Sequence, residues 1–209
     1  LKEIVGGDAS VSVLSIGPAR VVETIRKALA MGCDHGVHID DPEAAERDPW
    51  QIAAMIAGFA EGRNFDVIFT GMQSEDRSSA QVGVLVAERL GYACVTGIVA
   101  FEWQPDHIVV ERELEAGRRC SVKLAAPAVL TCQLGLNTPR YPALPGIMRS
   151  KRAALTVMQP GEFAVDAPKV SSVRFRHHER KSSGLILEGD VSTLAAEVVL
   201  ILQMKTTLP

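Results

Sequence analysis

The sequence predicts an α/β protein: an open, mostly parallel Rossmann-like sheet with an antiparallel addition and a C-terminal extension. Three observations carry this. Short apolar runs alternate with stretches of helical periodicity over residues 11–90, the pattern of strands joined by crossover helices. Residues 66–70 form an apolar run of the kind shown by a parallel strand covered on both faces. From 94 to 133 the pattern changes to strand after strand, which implies an antiparallel element beside the parallel sheet.

In chain order, residues 11–16 predict a strand ended by Gly17-Pro18. Proline is accepted in a first helical turn, so a helix follows from about 18 to 31. Its apolar positions Val21, Val22, Ile25, Ala28 and Leu29 share a face, and Gly32 stops it. A strand at 36–40 and a helix at about 50–61, with Ile52, Met55, Ile56 and Phe59 on one face, come next. After strand 66–70 and the segment 71–79, a helix carries Val82, Leu85, Val86 and Leu90 and stops at Gly91. Strands are expected at 94–101, 107–114, 120–124 and 128–133, with turns at Pro105-Asp106 and Ala116-Gly117. A strand at 155–158, an irregular arm from Pro160 to Pro168, edge strands at 170–176 and 185–187 and a helix at 190–203 complete the reading. The pattern divides the chain into an α/β domain over 1–158, with a proline-rich loop at 132–154, and an arm and helix over 159–209, weakly tied to the sheet by pattern and suited to wrapping around another subunit.

At 209 residues the chain is long enough to bury a sizeable core. A net charge of −3 without a basic stripe argues against nucleic acid as a partner. No apolar run has the length of a membrane span. Cys33, Cys94, Cys120 and Cys132 are far apart and form no CxxC or Cys/His set. They are expected to be reduced thiols in or near the core.

Two segments look functional. In the first, Pro139, Pro142 and Pro145 exclude a helix interior or central strand and stiffen the backbone. Leu144 stands between two of them, and the cations Arg149, Lys151 and Arg152 follow. A stiff loop holding out one aliphatic side chain suits docking to a partner; a surface loop whose leucine folds back onto its own core is the competing reading. In the second, Gly71, Met72, Gln73, Ser74, Glu75, Asp76, Arg77, Ser78, Ser79, Ala80, Gln81 and Val82 run from the carboxyl end of a strand into a helix N-terminus. Ligands of open α/β sheets sit at that end, and free amides there attract an anionic phosphate. Ser78 and Ser79 offer hydroxyls for a phosphate, Arg77 a charge-assisted contact. A serine that merely caps an ordinary helix is the alternative.

Other candidates carry no chemistry. His177 and His178 are adjacent in an expected strand, so they point to opposite faces and chelate poorly. Glu111, Glu113 and Glu115 share a face that reads as solvated, with Arg112 opposite. No Ser/His/Asp, Cys/His or metal set is present in the sequence, and no catalytic apparatus is expected.

The docking segment, Leu136-Asn137-Thr138-Pro139-Arg140-Tyr141-Pro142-Ala143-Leu144-Pro145-Gly146-Ile147-Met148-Arg149-Ser150-Lys151-Arg152, resembles the recognition loop of the electron transfer flavoprotein β (small) subunit family, whose pattern is roughly LNxPRYxxLPxIMxAKxK. The runs Val110 to Glu115 and Ala126 to Cys132 also fit that family, with Ala116 standing where Gly or an acid is usual. The similarity extends from about residue 10 to the C-terminus. It implies an adenine nucleotide alpha hydrolase-like fold and a heterodimer with an α subunit that holds a redox FAD. It implies partner recognition through Pro139, Arg140, Tyr141, Leu144, Pro145, Ile147, Met148, Arg149 and Lys151. The family loop GxQxxDDDxxQxG binds AMP, or a second FAD in electron-bifurcating members. Gly71, Gln73, Asp76, Gln81 and Gly83 match it, while Arg77, Ser78 and Ser79 leave the acidic run. Ala80-Gln81-Val82-Gly83 replaces the Asn-Gln-Thr-Gly of the AMP-binding group, so AMP and FAD both stay open. Ile16 matches a further nucleotide contact.

The resemblance implies a carrier of electrons from acyl-CoA or similar flavin dehydrogenases, as in fatty acid oxidation. Its compartment would be the bacterial cytoplasm, or the mitochondrial matrix in a eukaryote. Outside the family, a stress-protein-like ATP-binding domain is the other reading. Family members carry an additional strand and helix before this point. Without them the sheet is expected to have unpaired edges, and residues 1–209 alone are not expected to behave as a soluble domain.

Overall fold

The computed structural model describes residues 9–171, 173, 184 and 186–205. The chain divides into two compact units, Leu1–Ser171 and Ser172–Pro209.

In the first unit the parallel strands lie in two sheets rather than one. The smaller has the order β1 (Ser12–Gly17), β2 (His35–Asp40), β8 (Leu155–Met158), all parallel. The larger has the order β3 (Val67–Gly71), β7 (Ala128–Cys132), β4 (Ala93–Trp103), β5 (Ile108–Glu113), β6 (Arg119–Leu124). The 94–133 region departs from the expected run of antiparallel strands. β4, β5 and β6 are antiparallel neighbours, but β7 returns to lie parallel between β3 and β4. Its sequence, Ala-Val-Leu-Thr-Cys, is apolar on both faces, as a strand covered on both sides must be. Val129 packs with Ala53, Val86 and Ala87 of the helices on one face. Ala128 and Leu130 pack with Val95, Ile98, Ile108 and Val110 on the other. Each such fully buried aliphatic contributes roughly 1.5–3 kcal/mol.

The helices flank these sheets: α1 (Val21–Met31), α2 (Pro49–Ala60), α3 (Val82–Leu90) and α4 (Leu144–Arg152). Helix α1 sits on the smaller sheet through Ile25 and Leu29, both buried. Gly36 of β2 permits this approach, because a β-carbon there would lie 2.8 Å from Ile25 and 2.6 Å from Leu155. Asp48 caps α2, accepting from the Gln51 amide at 2.9 Å.

The irregular arm expected from Pro160 is present and packs against α2. Phe163 covers Gly58. The Trp50 indole donates to Asp166 at 3.1 Å, and the amides of Lys169 and Val170 donate to Asp48 at 2.5 and 3.0 Å. The arm belongs to the first compact unit, which ends at Ser171. Of the expected edge strands, Val170, Ser171, Val173, Ile186 and Leu187 are not in strands; the rest of both segments, with His177 and His178, lies outside the described residues. The second unit contains α5 (Val191–Lys205), capped by Asp190, which accepts from Ser192 and Thr193 amides at 2.9 and 3.1 Å.

Candidate functional site

The segment 72–81 leaves the carboxyl end of β3 and enters α3. It is anchored at its start, where the Met72 amide donates to the Cys132 carbonyl of β7 at 3.1 Å. Residues 73–81 are exposed. Ser78 and Ala80 adopt φ of 49° and 52°, left-handed conformations that L-residues avoid unless the surroundings impose them. The alternative, a serine that caps the helix, does not form. The residue preceding α3 is Gln81, without a side-chain cap, and the Ser78 hydroxyl donates to Ser74 within the loop at 3.4 Å. The first-turn amides of α3 thus lack the usual side-chain oxygen.

Beneath this helix end lie Thr70 and Thr131, paired across β3 and β7. The Thr131 hydroxyl accepts from the Gly97 amide at 3.1 Å, at the bulge in β4. The Thr70 hydroxyl is buried and has no partner. Gly83 fits directly over both; a β-carbon would meet Thr70 Oγ1 at 2.5 Å and Thr131 Cγ2 at 2.6 Å. Gly71, by contrast, has open space where its side chain would project. The Ser74 hydroxyl and the Arg77 amide hold the Asp76 carboxyl below its ordinary range. An uncapped helix end, an orphaned buried hydroxyl and an open glycine make a cradle that fits a phosphorylated nucleotide.

Arg77 does something the sequence did not indicate. Its guanidinium donates to the Arg47 carbonyl at 3.2 Å and to the Ala45 carbonyl. Arg47 in turn pairs with Asp41, Nε to Oδ2 at 2.6 Å, an interaction that raises the arginine pKa further. Asp41 is 2% exposed. Its amide donates to Gly17 at 3.2 Å, as does His38 Nε2 at 2.7 Å. Ile16, the half-buried neighbour of Gly17 in β1, pairs with Ile39. None of His38, Asp41 and Arg47 stood out in the sequence, because no spacing rule marks a carboxylate that turns back under its own loop.

The docking segment is not a loop throughout. Residues 133–143 are largely irregular, but Leu144 opens α4 and Pro145 sits in its first turn. The proline exclusion fails there because first-turn amides need no intrahelical partner. Arg149, Lys151 and Arg152 fall in the last turn, where cations complement the helix dipole. One face of α4 lies on α1, through Gly146 and the buried Ser150. Arg26 donates to the Ser150 carbonyl and, at 3.4 Å, to that of Ala153. The other face carries Leu144, 72% exposed, and Met148, 48% exposed. Tyr141 and Leu134 are almost fully exposed, and nothing in the local sequence marks Leu134. Ile147 is half-buried, and Pro139, Arg140 and Pro145 are exposed.

Cys94 and Cys120 are exposed, contrary to the expectation that all four thiols sit in or near the core; Cys33 and Cys132 are half-buried. Cys94 opens its strand and Cys120 lies on the edge strand β6, where alternation leaves side chains uncovered. Burial pushes the Cys132 thiol pKa up. Among the described residues, no cluster of His, Cys, Asp and Glu could hold a metal, and no helix is long and apolar enough to cross a membrane.

The structure defines an α/β protein with mostly parallel sheets and flanking helices. Comparison with known sequences narrows this. The family model described as the electron transfer flavoprotein domain matches residues 1–162. Among curated relatives, the Homo sapiens electron transfer flavoprotein subunit beta is 38% identical over 85% of this chain and 71% of its own length. Those of Methylophilus methylotrophus and Bacillus subtilis are each 32% identical over 97% of this chain and 80% of theirs. The chain belongs to the electron transfer flavoprotein β-subunit family.

Proposed function

We propose that this chain is the noncatalytic subunit of a heterodimeric electron carrier, holding a structural AMP at the cradle between β3 and α3. The observation that carries this is the uncapped α3 N-terminus over the orphaned Thr70 hydroxyl, in a chain of this family. Amides near Ser78 to Gln81 face the phosphate, and Asp76, acceptor-only when ionised, suits ribose hydroxyls. Gly71, Met72, Gln73, Ser74, Glu75, Ala80 and Val82 line the nucleotide, with Ile16 at the end of β1.

A redox FAD held mainly by the α subunit supplies the electron chemistry. This chain braces that subunit, and the apolar residues exposed on α5, among them Val198, Leu200 and Met204, suit an interface with it. Electrons arrive from acyl-CoA or similar flavin dehydrogenases, which dock on Leu144 with Tyr141 and Met148 beside it. Pro139, Arg140, Pro145, Ile147, Arg149 and Lys151 shape the surrounding surface. The compartment is the bacterial cytoplasm, or the mitochondrial matrix in a eukaryote.

A second reading has support from one feature. Arg77, Ser78 and Ser79 replace an acidic run, which suits a larger ligand such as a second FAD exchanging electrons with NADH. Denaturing the purified heterodimer and quantifying the released nucleotides separates the two. One FAD and one AMP per heterodimer is the expected result; two FAD and no AMP overturns it.

A further inference from the structure

We infer that Arg77 is a positioning residue that holds the nucleotide loop closed from outside, rather than a ligand to the phosphate. This rests on the nucleotide reading of the cradle. The guanidinium, at the middle of the loop 72–81, reaches across to the carbonyls of Ala45 and Arg47 in the loop after β2. That second loop is itself fixed. Arg47 closes on buried Asp41, the Glu43 amide donates to Asp41 Oδ1 at 3.1 Å, and the Asp41 amide is tied to Gly17 at the end of β1.

A continuous polar chain therefore runs from Gly17 through Asp41 and Arg47 to Arg77. It joins the carboxyl ends of strands from both sheets, which no strand pairing joins among the described residues. A planar guanidinium offers two donors in fixed geometry to two carbonyls of one rigid loop, which an acid, the residue type of the family run at this position, could not do. With its donors directed at those carbonyls, the side chain restrains the exposed, positive-φ turn at Ser78 to Ala80. A bound nucleotide then leaves only when this clasp opens.

The test uses the complete heterodimer carrying Arg77→Gln, and separately Arg47→Gln, which loosens the other end of the clasp. Loss of charge-assisted bonds of this kind changes a rate or equilibrium constant by about tenfold. The expected result is an AMP dissociation rate raised about tenfold in each variant and no further in the double variant. The rise for adenosine should equal that for AMP, with the melting temperature of Arg77→Gln unchanged and that of Arg47→Gln lowered, because it leaves buried Asp41 without its partner. Direct phosphate contact predicts the opposite: AMP weakened by Arg77→Gln alone, with adenosine and the Arg47→Gln variant unaffected. That result overturns the inference. Hydrogen exchange without added nucleotide provides an independent arm. Faster exchange of amides 72–81 in Arg77→Gln supports the clasp even if the heterodimer binds no adenine nucleotide, which would refute the nucleotide reading alone. Unchanged exchange there contradicts the clasp whatever the ligand.

Discussion

Gly146 of α4 lies against the backbone of Ala30 in α1, so closely that a β-carbon would stand 2.5 Å from the Ala30 carbonyl oxygen. The obstacle is main chain, which cannot rotate aside. Gly146→Ala should therefore push α4 away from α1, costing about 1–3 kcal/mol as overpacking does. Urea unfolding of the variant checks this. Because α4 carries Leu144 and Met148, docking should weaken with it; unchanged stability would show that the two helices are not held in this contact.

Gly71 and Gly83 bracket the cradle and should respond in opposite ways. Gly71 has room for a side chain in its own fold, so Gly71→Val should preserve stability while blocking close approach of a nucleotide. Nucleotide content per heterodimer should fall without a fall in melting temperature. Full occupancy in that variant would displace the site from this loop.

Gly83→Ala should instead destabilise, by about 1–3 kcal/mol, because its β-carbon meets Thr70 and Thr131 below the helix. A melting temperature equal to the parent's would show that the α3 end is not seated on those threonines.

Asp48 supplies a pH signature. Burial opposes its charge, but amides of Gln51, Val170, Lys169 and Trp50 outweigh that and hold its carboxyl below the ordinary range. A carboxyl lowered in the folded state stabilises fully above its unfolded pKa of about 3.9 and loses that contribution as pH falls through the lower folded value. Asp48→Ala should cost about 1–2 kcal/mol at pH 7, with the gap to the parent closing below about pH 4. A gap that persists undiminished at pH 3 would place the effect in packing instead of charge.

Much of the fold was legible because its signals are local. Helical spacing in 21–29 depends only on neighbours in the chain, and Gly32 and Gly91 punctuate it. The run at 66–70 does form a strand, but β3 lies at the edge of its sheet with Phe69 exposed, so it is not the strand covered on both faces that its apolar residues suggested. Pairing order was not legible: the short turns after β4 and β5 suggested one antiparallel series, whereas β7 finds its partners across residues distant in sequence. At the site, the loop was marked by its place after a strand and before a helix. What Arg77 touches depends on a loop thirty residues earlier, and the exposure of Leu134 on the chain folding past it. Pro145 misled in a specific way, since a proline that forbids a helix interior is welcome in its first turn.

In the proposed function Leu144 carries the docking of a partner dehydrogenase. It is 72% exposed at the head of α4, so Leu144→Ala should leave melting temperature, flavin content and flavin absorbance unchanged. Binding of a partner flavin dehydrogenase should weaken by about 1–3 kcal/mol through lost apolar burial, and reduction of the carrier should slow in proportion when carrier is limiting. Melting temperature and dehydrogenase-dependent reduction rate, measured on one purified heterodimer variant, decide it. A stable protein with slowed reduction is the predicted result. A destabilised protein whose folded fraction is reduced at the parent's rate would contradict it.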